Sequence, residues 1–322
     1  MKVVITGCAG FIGSHLTTTL LAEGHHVVGI DVFVPNYSIS LKLAALKQAH
    51  TFPHFTLVEG DIRDAALLSR VITSDVDVVV HLAALAGVRA SIEHPREYTE
   101  VNVGGSVEVL EAARKAGVGR LVLASSSSVY GSGATAPFRE DLPPGIPLSP
   151  YAASKRAMEL MSQTWHTLYG LSIVNLRFFT VYGPGQRPDL AIHKFTHLIE
   201  TEKPLPFFGD GSSRRDYTHV VDIIRGIRAA MDWVEHTPRW GVFNLAGGQT
   251  ISLVELVTLL EQALGKRAIL HRLPSQPGDM DITWADLDQA REHLKVSATI
   301  PFEEGIRDFV GWYRRNNVNE GS

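Results

Sequence analysis

Val3-Val-Ile-Thr-Gly-Cys-Ala-Gly-Phe-Ile-Gly13, continued by Ser14 to Glu23 and by Val27-Val-Gly-Ile-Asp31, decides how this 322-residue chain folds. Val3 to Thr6 is a short apolar, β-branched run, the composition of a strand buried on both faces. Phe11 to Glu23 has helical periodicity and stops at Gly24, a residue suited to the position just beyond a helix. Between the two, Gly7, Gly10 and Gly13 permit a tight turn, close backbone approach to a pyrophosphate, and close packing of helix on strand. The helix start then offers free N–H groups and a positive dipole end. The spacing is GxxGxxG rather than GxGxxG, and alone it fits a plain glycine turn as well. The strand–turn–helix setting, with Asp31 closing the second strand, points to a dinucleotide. A carboxylate there accepts from ribose hydroxyls and repels a 2′-phosphate, which favours NAD over NADP. Asp61, in Glu59-Gly-Asp-Ile-Arg63, either reaches the adenine or caps the next helix.

The same alternation continues outward. Phe55–Glu59, Asp77–His81, Leu121–Ser125 and Ser172–Arg177 read as further strands, with helices over Ala65–Ile72, Arg96–Ala116 and Pro150–Tyr169. That pattern implies right-handed βαβ crossovers and a parallel sheet covered on both faces. Beyond Val181 the chain breaks into shorter pieces at Gly183-Pro-Gly185, Pro188, Pro204, Pro206 and Gly209-Asp-Gly211. The expectation is an α/β chain: a doubly wound parallel sheet of Rossmann type over 1–180, and a smaller mixed C-terminal substrate lobe over 181–322. A buried run near 242–246 returns to the first unit. Ser252-Leu-Val-Glu255 is a capping box opening a helix that ends before Gly265.

Composition excludes several classes. With 45% apolar and 20% charged residues, a net charge of −4 and no basic block, the chain reads as globular, and nucleic acid is not an expected partner. Cys8 is the single cysteine, so neither an intrachain disulfide nor a cysteine zinc site can form, which fits a reducing cytoplasm. Lys2 precedes only a short apolar run before the glycine turn, unlike a signal peptide, and no run is long enough to span a bilayer. His193 and His197 are four apart on a helical stretch, a spacing able to hold a metal. No HExxH glutamate or third ligand accompanies them, so no metal is expected.

Tyr151-Ala-Ala-Ser-Lys155 puts a phenol and an ammonium on one helix face. A phenol of pKa ~10 is a poor base at neutrality, and reaching ~7 needs roughly 4 kcal/mol of differential stabilisation. A nearby lysine and a cationic nicotinamide both favour the phenolate. A tyrosine so tuned removes a proton from a sugar hydroxyl while hydride leaves the same carbon for NAD. YxxxK alone is a frequent accident; here it follows Ser125-Ser-Ser-Ser-Val-Tyr-Gly131 at a strand end where doubly wound sheets place their ligands.

Together with His81-Leu-Ala-Ala84, Asn102-Val-Gly-Gly105, Leu176-Arg-Phe-Phe-Thr-Val-Tyr-Gly-Pro184 and Arg214-Arg-Asp-Tyr-Thr-His-Val220, these stretches resemble the extended short-chain dehydrogenase/reductase family, specifically its NAD-dependent nucleotide-sugar epimerases and dehydratases. The resemblance implies Ser126, Tyr151 and Lys155 as the catalytic set. It implies cofactor contacts from Gly7, Gly10, Phe11, Ile12, Gly13, Asp31, Asp61, Ile62, Leu82, Ala83, Ala84 and Asn102, with Tyr151 and Lys155. Dehydratases of the family resemble T-D-E-V-Y; Ser127 and Ser128 stand here for the Asp and Glu, which disfavours elimination. Ala84 to Pro95 and Thr180 to Leu190 are similar to the UDP-glucuronate 4-epimerases, although Leu85 and Gln186 replace that subfamily's Gln and Gly. For a sugar carboxylate the resemblance implies Ser127, Ser128, Thr180 and Arg187, with Arg89 either joining them or forming a structural ion pair. For the UDP half it implies Lys194, Phe208, Arg215 and Asp279, with Phe207-Phe208 equally able to be lobe core.

The implied function is interconversion of UDP-glucuronate and UDP-galacturonate through a 4-keto sugar. UDP-glucose/galactose epimerisation, UDP-glucuronate decarboxylation and a non-catalytic NAD-binding regulator are the alternatives. Many such proteins are homodimers through a four-helix interface, for which 96–116 and 150–169 would serve.

Overall fold

The computed structural model describes residues 1–35, 37–235, 238–274 and 280–317. The β-branched runs form strands β1 (Lys2–Thr6), β2 (His26–Asp31), β3 (Phe55–Glu59), β4 (Val78–His81), β5 (Arg120–Ser126) and β6 (Ser172–Phe178). Between them lie helices α1 (Phe11–Ala22), α2 (Ile39–Leu46), α3 (Ala65–Val71), α4 (Val88–Glu93), α5 (Pro95–Tyr98), α6 (Gly105–Ala116) and α7 (Pro150–Tyr169). Then come β7 (Thr180–Tyr182), α8 (Ala191–Glu200), β8 (Pro204–Phe208), β9 (Arg214–His219), α9 (Val220–Trp233) and β10 (Trp240–Leu245). The chain finishes with β11 (Thr250–Ser252), α10 (Leu253–Leu264), β12 (Ile269–Leu273), β13 (Ile282–Thr283) and α11 (Phe302–Asn317).

A seven-stranded sheet has the order β10-β6-β5-β4-β1-β2-β3, and every pairing in it is parallel. Alternate side chains feed its two faces, because successive residues of a strand point opposite ways. Val3 and Ile5 pack under α1 and α9 beside Leu16, Leu20, Ile223 and Ile227. Val4 and Val79 pack under α3, α6 and α7 with Leu68, Leu110 and Met158. The strand order reverses between β1 and β4, which opens a crevice at their carboxyl ends.

A second sheet, β11-β9-β13 with β7 also paired to β9, and a two-stranded β12-β8 ribbon lie with α8, α10 and α11. Their core includes Ile192, Phe195, Phe207, Leu260, Phe302 and Phe309. No described helix is long and apolar enough to cross a membrane.

The helix expected over 96–116 is not uniform. Thr99–Gly104 between α5 and α6 is a π-helical segment. In it, the Asn102 carboxamide accepts from Leu85 N at 2.8 Å and donates to Leu85 O and Ser154 Oγ, both at 3.0 Å. Such π-helical turns inside helices are rare and occur frequently at functional sites.

Candidate active site

A cavity of about 680 Å³ opens over the β1–β4 crevice. Its floor is the glycine turn. A Cβ on Gly13 would lie 2.0 Å from the Gly7 carbonyl oxygen, so α1 can start this close to β1 only with glycine there. Gly7, Gly10, Phe11, Ile12 and Gly13 line the cavity, as do Leu82, Ala83 and Ala84 after β4. Asp31 closes one end, its carboxylate accepting from Ala9 N at 3.0 Å and Phe33 N at 2.9 Å. Cys8 is fully buried, and burial with the Asp31 charge pushes its thiol upward; its sulfur fills the space beside Gly29. It is a packing residue.

Asp61 and Ile62 also line the cavity. The alternative of Asp61 as a helix cap is corrected: Asp64 caps α3, accepting from Leu67 N at 3.0 Å. Asp61 instead holds Arg63 through both side-chain oxygens.

Tyr151 stands in the first turn of α7, which Ser149 caps by accepting from Ala152 N at 3.1 Å and Pro150 opens. Its phenol meets Ser126 at the end of β5, and Lys155 lies one helical turn on; all three line the cavity. Burial raises the phenol above its ordinary value, while hydrogen bonding to Ser126 and the Arg187 charge pull it down. The Lys155 ammonium, 5% exposed, donates to Ala124 O at 2.7 Å. Burial lowers it to about 8, opposed by Glu159. The Arg187 charge thus acts on the phenol, while the Lys155 ammonium is engaged against the strand. Below them, the buried Glu159 carboxylate accepts from Ser125 Oγ at 2.6 Å and from Arg177 Nε and Nη2 at 2.9 Å. This pair fastens α7 to β5 and β6.

Ser127, Ser128, Thr180, Arg187 and Arg215 line the same cavity. Arg187 is gripped by Asp189, with Nε–Oδ1 2.9 Å and Nη2–Oδ2 2.6 Å. The other expected residues are elsewhere. Asn102 is buried behind the wall as a brace for Leu85. Arg89 lies over the Phe208 ring, 5.9 Å from its centroid, and Lys194 is exposed on α8; neither they nor Phe208 line the cavity. The aromatic pair divides, Phe207 entering the lobe core. Asp279 falls outside the described residues. His193 Nδ1 is 2.6 Å from Gln186 O and His197 Nδ1 2.9 Å from Tyr313 Oη, and no group of three metal-binding side chains exists among the described residues.

Sequence reading missed Tyr37 and Lys42, which reach the cavity from the segment after β2 and stack at 4.7 Å. Nothing in their spacing marks them. Thr283 was missed too; its pairing with Arg215 across β13 and β9 carries it to the cavity.

The geometry matches known proteins. A UDP-glucuronate 4-epimerase of Thermodesulfobacterium geofontis is 41% identical over 97% of this chain and 96% of its own length. The crystal structure of a UDP-glucuronic acid 4-epimerase from Bacillus cereus, with UDP-glucuronic acid and NAD, is 38% identical with a TM-score of 0.91, covering 98% of this chain and 100% of that one. A UDP-glucose 4-epimerase from Thermotoga maritima with UDP-glucose gives 29% and 0.90 over 98% and 100%. Residues 3–246 match the NAD dependent epimerase/dehydratase family along their whole run. With the glycine turn, Ser126, Tyr151 and Lys155 gathered on one cavity, the chain belongs to the NAD dependent epimerase/dehydratase family.

Proposed function

We propose that this protein interconverts UDP-glucuronate and UDP-galacturonate by oxidising and re-reducing carbon 4. The observation that carries this is the shared wall. Tyr151 and Ser126 face the same space as Ser127, Ser128, Thr180 and Arg187, hydroxyl donors and a guanidinium suited to a sugar carboxylate, with no acid at 127 or 128 to expel water. The relatives named for UDP-glucuronate are also the more similar in sequence.

The residues present fit NAD. The Gly7–Gly13 turn leaves room only for backbone, so a pyrophosphate can rest on the N–H groups opening α1. Asp31 would meet the ribose hydroxyls, Asp61 and Ile62 the adenine end, and Leu82 to Ala84 the opposite side, all of them lining the cavity. NAD held there would supply the hydride chemistry at carbon 4 and a positive charge favouring the phenolate. Tyr151 removes the carbon-4 hydroxyl proton and later returns it; the Ser126 hydrogen bond and the Arg187 charge favour its phenolate. Lys155, tied to Ala124 O, fixes the helix face and keeps a cation near. The keto sugar turns about its bond to the pyrophosphate, which Arg215 grips from β9, with Lys194, Phe208 and Asp279 as further candidates for the UDP half. Arg89 and Asn102 act from outside the wall, the latter through Leu85.

Incubation of the NAD-loaded protein with UDP-glucuronate and with UDP-glucose separately, followed by analysis of the nucleotide sugars, tests the reading. Galacturonate formed from the first and little turnover of the second is expected. Preference for UDP-glucose, or pentose as the main product, defeats it.

The protein works as a cytoplasmic homodimer on this reading. Leu160, Met161 and Leu168 project from one side of α7, 50%, 37% and 64% exposed, an apolar stripe suited to a helix of a second copy. Sedimentation of wild type and Leu160→Lys should give dimer and monomer; two monomers would remove the interface.

A further inference from the structure

Arg187 is carried on Gly183-Pro-Gly-Gln-Arg-Pro-Asp-Leu190, a loop that its own backbone would leave loose. Gly183 and Gly185 hold φ of +132° and +80°, and glycine loses the most freedom on being fixed. Arg187 itself is hydrogen-bonded within the loop, to Asp189, and lies 5.8 Å from the centroid of the Tyr37 ring. The Gln186 backbone is held by His193, whose Nδ1 is 2.6 Å from Gln186 O, and the Gln186 side chain, in a residue 2% exposed, adds two further anchors. Its Nε2 donates to Val181 O at 3.0 Å, in β7. Its Oε1 accepts from His193 N at 3.2 Å, in the first turn of α8. The cap position of α8 is Leu190, which has no side-chain oxygen, so a residue four positions upstream supplies the missing acceptor. His15 on α1 holds the preceding residue, its Nε2 2.8 Å from Pro184 O.

We propose that Gln186 is a positioning residue: its buried carboxamide locks β7 to α8 across the loop, and so fixes Arg187 against the substrate carboxylate during turnover. The inference rests on the uronate reading above. Oxidised at carbon 4, the uronate is a β-keto acid. Carbon dioxide leaves when the C5–C6 bond stands across the carbonyl plane. The bond's electron pair then passes to the C4 oxygen as an enolate, and C5 takes a proton. Epimerisation without that loss needs the carboxylate held near the plane while the ring turns. A guanidinium does this only if its own anchor is fixed, since misplacement by about 1 Å can cost about 10²-fold. A carboxamide has an acceptor and a donor and meets both backbone ends. Glycine, the residue usual here in the subfamily the chain resembles, would leave the Val181 carbonyl and the His193 amide without these partners.

Gln186→Ala and Gln186→Met test it in the NAD-loaded, full-length protein, the methionine filling the volume without the bonds. UDP-glucuronate is supplied, and two quantities are read: the ratio of pentose to galacturonate products, and hydrogen exchange of amides 190–193. The expected result is a rise of about tenfold or more in both for each variant, at unchanged NAD content. An unchanged product ratio, or all products falling together, overturns the inference. So does unchanged exchange, whatever the substrate. A wild-type protein that leaves UDP-glucuronate untouched removes the substrate reading instead, and with it the carbon dioxide half of this inference.

Discussion

On the proposed mechanism Tyr151 surrenders a proton near neutrality although burial favours its neutral form, and among the described residues Ser126 and the Arg187 charge oppose burial. Removing the hydroxyl leaves the packing of α7 intact and deletes the proton acceptor. Tyr151→Phe should lower kcat by about 10² to 10⁴ with an unchanged melting temperature, measured by product formation and calorimetry. Retained turnover in a folded variant would show that another group takes the proton. Lys155 gives a second prediction. Burial has lowered its pKa to about 8, so the ammonium is present below that pH and lost as pH rises through it. Activity should fall on the alkaline side with an apparent pKa of about 8. That limb should vanish in Lys155→Met, whose residual rate is low but flat. A limb that survives in the methionine variant belongs to a different residue.

At the scale of elements, α10 is the simplest case of sequence specifying structure. Ser252 Oγ accepts from Glu255 N at 3.1 Å and Glu255 Oε2 from Ser252 N at 2.7 Å, the reciprocal capping box read from the sequence, and Gly265 ends the helix in the left-handed region. Ser252→Ala should cost about 1 kcal/mol of stability, seen in urea titration, and leave kcat/KM within about twofold. A large loss of activity would mean that α10 reaches the site through the Arg214–Glu255 ion pair. The strands of the large sheet, α1, α7 and the return strand β10 were legible because a buried parallel strand must be β-branched and a glycine turn must precede its helix. The second lobe was not: β8, β12 and β13 are short strands whose partners are distant in sequence, such as Leu205 beside Leu270, and no local period records that. The same holds at the site. Asp31 and the Tyr151–Lys155 pair are marked by residue type and spacing and Ser126 by the resemblance, whereas Tyr37 and Lys42 join the wall from the segment after β2 and from α2. The Arg187 charge that opposes burial at the phenol sits 36 positions from Tyr151 and is brought near by β7, which no local spacing records.

On the proposed function, the whole molecule divides the labour of binding. Most of the cavity belongs to the large sheet and its loops, while Arg215, Met280, Thr283 and the β7–α8 segment with Thr180 and Arg187 come from the second sheet and its connections. If the sheet holds the dinucleotide and the lobe the UDP group, the two stabilisations should be separable. For NAD-loaded protein, UDP at 100 times its Kd should add about 2.7 kcal/mol of stability, visible as a rise in melting temperature. Arg215→Ala removes a charge-assisted grip worth ~1.5–3 kcal/mol, so affinity falls about 10- to 150-fold. At the same UDP concentration, a 100-fold loss leaves only about 0.4 kcal/mol, a shift of well under a degree. The stabilisation by NAD itself should be unchanged in that variant, because Arg215 belongs to β9 and the glycine turn to β1 and α1. Loss of both shifts together would mean that the two lobes bind as one unit, and an undiminished UDP shift would place the pyrophosphate elsewhere in the cavity.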